Sequence, residues 1–235
     1  MIGSSTNKVG LTVIIPILNE EKTLPSFIDL LVKQSCFNNQ FIFVDGGSTD
    51  KSCKIIYSHP HCQLVNSEKG RAKQMNVGAK YAQFPILYFL HVDSLPPKNY
   101  DQFIINHVHL GFKAGSFRLQ FDTQHFLLNF FTYLTRFNFK ICRGGDQSLF
   151  VHENLFSILD GYNEDYLICE DNEFIDRIYD RTTFTILPYQ IVTSARRFKE
   201  NGVIKLYFHH GIIQLMRLLG FSPQSLTKYY KSFVR

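Results

Sequence analysis

The sequence predicts an α/β fold: a mostly parallel central sheet flanked by helices, with a helical C-terminus. Three observations carry that expectation. Strand-like and helix-like patterns alternate over roughly the first 95 residues, the signature of a right-handed βαβ series. The first strand-like run is apolar on both faces, as a strand buried under helices must be. Polar clusters stand where these runs end, and in an open parallel sheet ligands bind beyond the carboxyl ends of the strands.

Each element has its own warrant. Leu11–Ile17 (LTVIIPI) is the β-branched first strand. Asn19 is placed to cap a helix starting at Glu20, with Leu24, Phe27, Ile28, Leu31 and Val32 on its apolar face. Phe41–Val44 is the second strand, and the turn Asp45–Asp50 follows it. A helix then runs through Cys53, Ile55 and Ile56, and Gln63–Asn66 is a third strand. Gly70–Gln83 reads as a helix with Met75, Val77, Ala79 and Ala82 inward, and Pro85–Leu90 is a fourth strand ending at His91–Ser94. The second half is less regular. Gly115–Phe121 alternates like a strand with one exposed face, His125–Phe139 is an aromatic helical stretch, and Ser148–Val151 and Phe184–Leu187 are short strands. Val203–Leu219 and Ser225–Phe233 read as closing helices. No repeat or long linker divides the 235 residues, so a single domain over 1–235 is expected.

Composition narrows the function. With 45% hydrophobic and 19% charged residues the chain can bury a core, which excludes a disordered or fibrous protein. A formal charge of +5 is a mild excess; it suits a polyanionic ligand or an acidic membrane surface without demanding nucleic acid. No apolar run reaches about 18 residues, so no transmembrane helix is expected. Met1–Lys8 is polar and lacks the apolar core of a signal peptide. Cys36, Cys53, Cys62, Cys142 and Cys169 show no CxxC spacing and read as reduced thiols of a cytoplasmic protein. No G-x-G-x-x-G follows the first strand and no P-loop occurs, which disfavours dinucleotide and P-loop sites.

Seven motifs occur in order: VIIPILNEE (13–21), VDGGSTD (44–50), GRAKQMNVGA (70–79), LHVDS (90–94), GGDQSLF (144–150), ED (170–171) and SARRF (194–198). Together they resemble a family 2 glycosyltransferase of the GT-A fold. The similarity extends to LLGFSP (218–223) and is strongest to the short bacterial subgroup labelled radical-SAM/selenodomain-associated.

That resemblance implies roles. Asp45 stands where the family binds the uracil edge, since a carboxylate accepts the imide N–H of a pyrimidine; a helix-capping Asp is the plain alternative. Pro16, Asn19 and Glu20 resemble the first wall of the nucleotide pocket. Arg71, at a helix start beside Lys69 and Lys73, is suited to grip a diphosphate, and a solvated basic face is the alternative. His91-Val92-Asp93 occupies the place of the DxD metal motif with His91 for the first Asp. Asp93 then holds Mn²⁺ or Mg²⁺ with diphosphate oxygens and water, while His91 either ligates Mn²⁺ or hydrogen-bonds sugar or backbone. Glu170-Asp171 resembles the pair whose Asp is the general base; dipole stabilisation of an acidic helix start is the alternative. Gly144, Gly145, Asp146 and Gln147 form a turn that lets backbone approach the donor sugar or acceptor. Arg196 and Arg197 resemble the basic motif that closes on the diphosphate, with Phe198 for the usual Trp.

The implied activity is metal-assisted, inverting transfer from a nucleotide-sugar, UDP-linked by the Asp45 reading, to an unknown acceptor. The rivals are a nucleotidyltransferase and a non-catalytic nucleotide-sugar-binding module. A nucleotidyltransferase calls for a Gly-rich basic loop after the first strand, which Pro16–Glu21 lacks. The remaining histidines, His209 and His210 among them, show no metal spacing. Ile204–Phe221 mixes apolar Leu206, Tyr207, Ile213, Leu215, Met216, Leu218, Leu219 and Phe221 with Lys205, His209, His210 and Arg217. It reads as a helix docking on a membrane or a lipid-linked acceptor at the inner face, or as a core or dimer helix. The breadth of its apolar set favours burial against protein.

Overall fold

The computed structural model describes residues 9–234. The polar segment Met1–Lys8 lies outside the described residues. The chain runs β1 (Thr12–Ile17), α1 (Leu24–Gln34), β2 (Gln40–Asp45), α2 (Ser52–Tyr57), β3 (Cys62–Asn66), α3 (Arg71–Ala79), β4 (Ile86–Phe89), β5 (Ser94–Leu95), α4 (Tyr100–His109), β6 (Ala114–Phe121), α5 (Phe126–Leu134), β7 (Leu149–His152), α6 (Glu153–Ile158), α7 (Glu170–Arg181), β8 (Phe184–Thr193), α8 (Arg196–Asn201), α9 (Val203–Leu218) and α10 (Pro223–Phe233). One sheet has the order β3-β2-β1-β4-β7-β6-β8-β5. β3, β2, β1 and β4 are parallel, β7 is antiparallel to both neighbours, and β6 pairs parallel with β8.

The two-sided burial expected of the first strands is present. Val13, Ile15 and Ile17 of β1 and Phe41 and Phe43 of β2 join one core with Leu24, Phe27, Ile28 and Leu31 of α1. Ile14, Ile42 and Val44 point into the opposite core with Met75, Phe174 and Ile178. Period-two alternation sends successive side chains to opposite faces, so a strand covered on both sides must be apolar throughout.

Several expectations need correction. Asn19 does not cap α1. Four residues separate it from the helix, whose N-cap is Thr23, and Asn19 is held in the left-handed region at φ 56° with its Oδ1 accepting from the Thr49 amide. Val32 is partly exposed, and α3 stops at Ala79. The first half of β6 is buried on both faces where a single exposed face was expected, because Phe117 enters one core and Ala114 the other. Helices α4, α6 and α8 were not anticipated, α6 and α8 being too short to show a full apolar period.

Candidate active site

The carboxyl ends of β1 and β4 open on a cleft of about 600 Å³. Gln74 is the clamp that holds this edge together. Its Nε2 donates to the carbonyls of Ile17 (2.9 Å) and Val44 (2.7 Å), tying the end of β1 to that of β2. Asn76, two residues on, holds the loop at Tyr162 through Nδ2 and Oδ1. The GRAKQMN segment therefore owes Gln74 and Asn76 to scaffolding, and of the three Arg71 and Gln74 border the cleft while Asn76 does not.

Pro16, Glu20, Arg71, Asp93, Gly144, Gly145, Asp146, Glu170, Asp171 and Arg197 all line this cleft, as do His91, Arg143 and His210. Asn19, Asp45 and Arg196 do not, and Gln147 lines an adjoining lobe. Asp45 is buried at the end of β2, where its carboxylate accepts from the amides of Gly47 and Ser48. Gly47, at φ 93°, supplies the backbone conformation this turn needs. Ser48 Oγ in turn accepts from the Asn19 amide, so both residues build the loop beside the cleft.

The acids meet through α7. Cys169, at φ 60°, sets the entry to that helix, and Glu170 and Asp171 occupy its first turn, where the helix dipole favours negative charge. Glu170 is 2% exposed and pairs with Arg71 Nη1 at 3.3 Å. Burial, reinforced by the Asp171 charge and opposed by Arg71, pushes the Glu170 carboxyl above its ordinary value. Asp171 lies 3.6 Å from His91 Nε2. Burial works against the His91 charge, but the Asp171 and Asp93 carboxylates outweigh it and raise the imidazole pKa. Asp146 is likewise raised, by burial and then by the Asp93 charge. Arg71 is drawn more firmly into its charged form because Glu170, Asp171, Asp146 and Asp93 overcome the burial cost.

Gly145 has a steric purpose that the sequence did not disclose. A Cβ there would stand 1.9 Å from Asp171 Oδ2 and 3.2 Å from His91 Nε2. The absent side chain is the space that the carboxylate occupies. Arg143 supports the same turn. It is 4% exposed, and its guanidinium donates to Gln147 Oε1 (2.6 Å), to the Phe137 carbonyl (2.8 Å) and to the Thr135 carbonyl at the end of α5. Tyr162 is buried with its hydroxyl lacking a hydrogen-bond partner among the described residues, and burial together with the Asp171 and Glu170 charges raises it well above the ordinary phenol range. Sequence reading assigned no role to Gln74, Arg143, Tyr162 or His210. A polar residue on the inward face of a helix is the signal that marks Gln74; the other three lie in irregular or broadly apolar segments and carry none.

Among the described residues no group of three His, Cys, Asp or Glu side chains is arranged to hold a metal ion alone. The donor set fits a narrower case. Asp93 and Asp146 are hard oxygen donors lining the same cleft, a pair that suits Mg²⁺ or Mn²⁺ when a ligand's oxygens complete the shell.

Comparison with known proteins follows the same lines. Residues 12–121 match the family model described as Glycosyl transferase family 2. The chain is 34% identical over 89 residues to the PGL/p-HBAD biosynthesis glycosyltransferase of Mycobacterium bovis, a match covering 35% of this chain and 34% of that one. It thus spans about a third of the length of the curated relatives it matches. S. aureus TarS in complex with UDP is structurally similar with a TM-score of 0.65 at 16% identity, over 79% of this chain and 60% of that one. The mannosyltransferase PcManGT of Pyrobaculum calidifontis, solved with GDP-Man and Mn²⁺, gives 0.63 at 20% identity, over 86% and 64%. The α/β architecture is the GT-A fold of these glycosyltransferases.

Proposed function

We propose that this chain is a family 2 glycosyltransferase that moves a sugar from a UDP-linked donor to an acceptor hydroxyl, acting as a single catalytic domain of the short bacterial subgroup it resembles. The observation that carries the reading is the meeting of Arg71, Asp93, Asp146, Glu170 and Asp171 in one cleft beyond the strand ends. A nucleotidyltransferase reading has no such support, since Pro16–Glu21 offers no basic glycine-rich loop.

The reaction is a single displacement with inversion. Asp171 accepts the proton of the acceptor hydroxyl as its oxygen bonds to the anomeric carbon and the bond to the diphosphate breaks. His91 stands beside it at 3.6 Å as a charge neighbour, and Gly145 leaves it room. Arg71 stands at the positive end of α3, so guanidinium and helix terminus act together on the departing diphosphate. Arg197 closes from the other wall, where it donates to the Tyr230 hydroxyl, and Arg196 follows outside the cleft. Asp93 would hold a bound Mg²⁺ or Mn²⁺, which neutralises charge on the leaving group. Pro16 and Glu20 wall the nucleoside side, with Asn19 and Asp45 in the loop behind them. Asp45 Oδ1, which among the described residues accepts only from the Ser48 amide at 3.1 Å, keeps capacity for a pyrimidine N–H. Gly144–Gln147 borders the donor sugar.

A thermal-shift panel of UDP-, GDP- and dTDP-sugars, with and without Mn²⁺, tests the donor. A ligand at a hundred times its dissociation constant adds about 2.7 kcal/mol of stability. Calorimetry on Asp45→Ala and Asp93→Ala then tests the site: UDP affinity unchanged in both, with metal present, sinks the assignment. Product formation from the bound donor separates an enzyme from a binding module.

A further inference from the structure

The broad apolar set of Ile204–Phe221 resolves into two opposite faces. Leu206 and Ile213 are buried in a core with Leu226 and Val234. Ile204, Phe208, Leu215 and Leu218 recur at helical spacing on the other side of α9 and are exposed, Phe208 by 64%. Helix α5 is built the same way. Leu128 is its buried residue, while Phe126 (79% exposed), Phe130 and Tyr133 form an outward stripe. The two helices are neighbours, because Phe131 stacks on Tyr207 with ring centroids 4.0 Å apart. Two exposed aromatic and aliphatic stripes thus stand on adjoining helices joined by that stack, and exposed apolar clusters of this kind mark interaction surfaces.

Charge identifies what covers them. Residues 123–145 and 201–235 contain no Asp or Glu. Their cations Lys140 and Arg217 are neutralised by Asp180 and Asp176, and Arg143 is buried. Arg136, Lys205, Lys228 and Lys231 have no carboxylate partner among the described residues, and Arg136 lies over the Tyr133 ring at 3.9 Å. A second copy of the chain would set this acid-free, basic surface against itself. An anionic bilayer complements it: the apolar stripes enter the headgroup boundary and the unpaired cations meet lipid phosphate.

We propose that the outward face of α5 and α9 docks on an anionic lipid surface. A second feature agrees with this. The inner sides of the same helices, through Phe131, Leu134, Leu206 and Tyr207, line a lobe of about 460 Å³ that shares Asp93, Arg143 and Asp146 with the catalytic cleft. The docking face stands on its own geometry. The lobe's use, to admit the apolar body of an acceptor drawn from that lipid, rests on the transfer reading.

Flotation with vesicles of phosphatidylcholine, alone or with phosphatidylglycerol, tests the face. The wild-type chain is expected to float with the anionic vesicles at low salt and less so at physiological salt. The Phe126→Asp/Phe208→Asp variant should lose about tenfold or more of that binding. A control pair on other surfaces, Tyr57→Asp/Leu110→Asp, should lose none. Melting curves and UDP calorimetry verify that each variant is folded, and they keep failure of docking distinct from failure of the donor assignment. Should the aspartate pair not fold, Arg136→Glu/Lys205→Glu is expected to lose the preference for anionic vesicles. The proposal is overturned if the wild type floats with neither vesicle, if the folded variants float as well as the wild type, or if light scattering shows a dimer that Phe126→Asp/Phe208→Asp dissociates while no vesicle is bound.

Discussion

Asp101 and Asp171 are both buried carboxylates near strand ends of one sheet, and their surroundings are opposite. Asp101, on α4, accepts from the amides of Cys36, Phe37 and Gln102 and from Asn39 Nδ2, all at 2.8–3.0 Å. Asp50 is treated similarly by the amides of Glu21 and Ser52. In the cleft, Asp146 and Asp171 accept no hydrogen bond among the described residues; Asp171 has only His91 at 3.6 Å, and Asp93 has Ser94 Oγ at 3.3 Å. A satisfied buried acid holds loops in place. A crowd of unsatisfied acids stores repulsion, which a cationic or hydroxyl-bearing ligand relieves. The same residue type is scaffold in one region and is left open to a ligand in the other, and the number of N–H donors decides which.

The sharpest way to break this comparison is to neutralise one acid of each kind. Asp171→Asn is expected to lower turnover by about a hundredfold or more and to leave UDP affinity nearly unchanged. Near-wild-type transfer by that variant, once an acceptor is in hand, removes Asp171 from the mechanism. Asp101→Ala should do the reverse. It strands several buried N–H groups and costs about 3 kcal/mol of stability in urea melts, with transfer per folded molecule preserved. A loss of activity without a loss of stability would erase the distinction.

Gly145→Ala probes how tightly the cleft is built. Its methyl group needs the volume of the Asp171 carboxylate, so turnover should fall by about tenfold, with a smaller change in stability, in single-turnover assays. Equal turnover would mean that Asp171 is free to move without consequence. The smallest effect is on pH dependence. The Glu170 carboxyl is raised above its ordinary 4.5, chiefly by burial. A raised carboxyl contributes stability that is complete below its unfolded value and is lost as pH rises through the folded value. Glu170→Gln has no such group, so its melting temperature relative to wild type should climb from about pH 4.5 towards neutrality, the direction that fluorescence melts would verify. A flat difference would count the Arg71–Glu170 pair as fully compensating.

The legibility of these parts follows their physics. Arg71, Asp93, Glu170 and Asp171 could be singled out because each stands in a short motif at a strand or helix end, where residue type and position constrain each other. Asn19 was misread as a cap because its side chain bonds across to Thr49, thirty positions away, and no local pattern encodes that contact. Arg143 and Tyr162 left no trace in the pattern, since their partners come from α5, α7 and the turn between them.

The sequence by itself determined the alternation of strand and helix over the first half, the two-sided cores, and the placing of polar clusters at one sheet edge. Those depend on periodicity and apolar content, which are local properties. Only the tertiary structure decided which acids share the cleft, that Gly145 yields its space to Asp171, that Asp45 accepts from its own turn, and that α5 meets α9 through Phe131 and Tyr207. The reason is range: burial, charge coupling and steric exclusion act between residues close in space and far apart in the chain, and no window of sequence contains both partners.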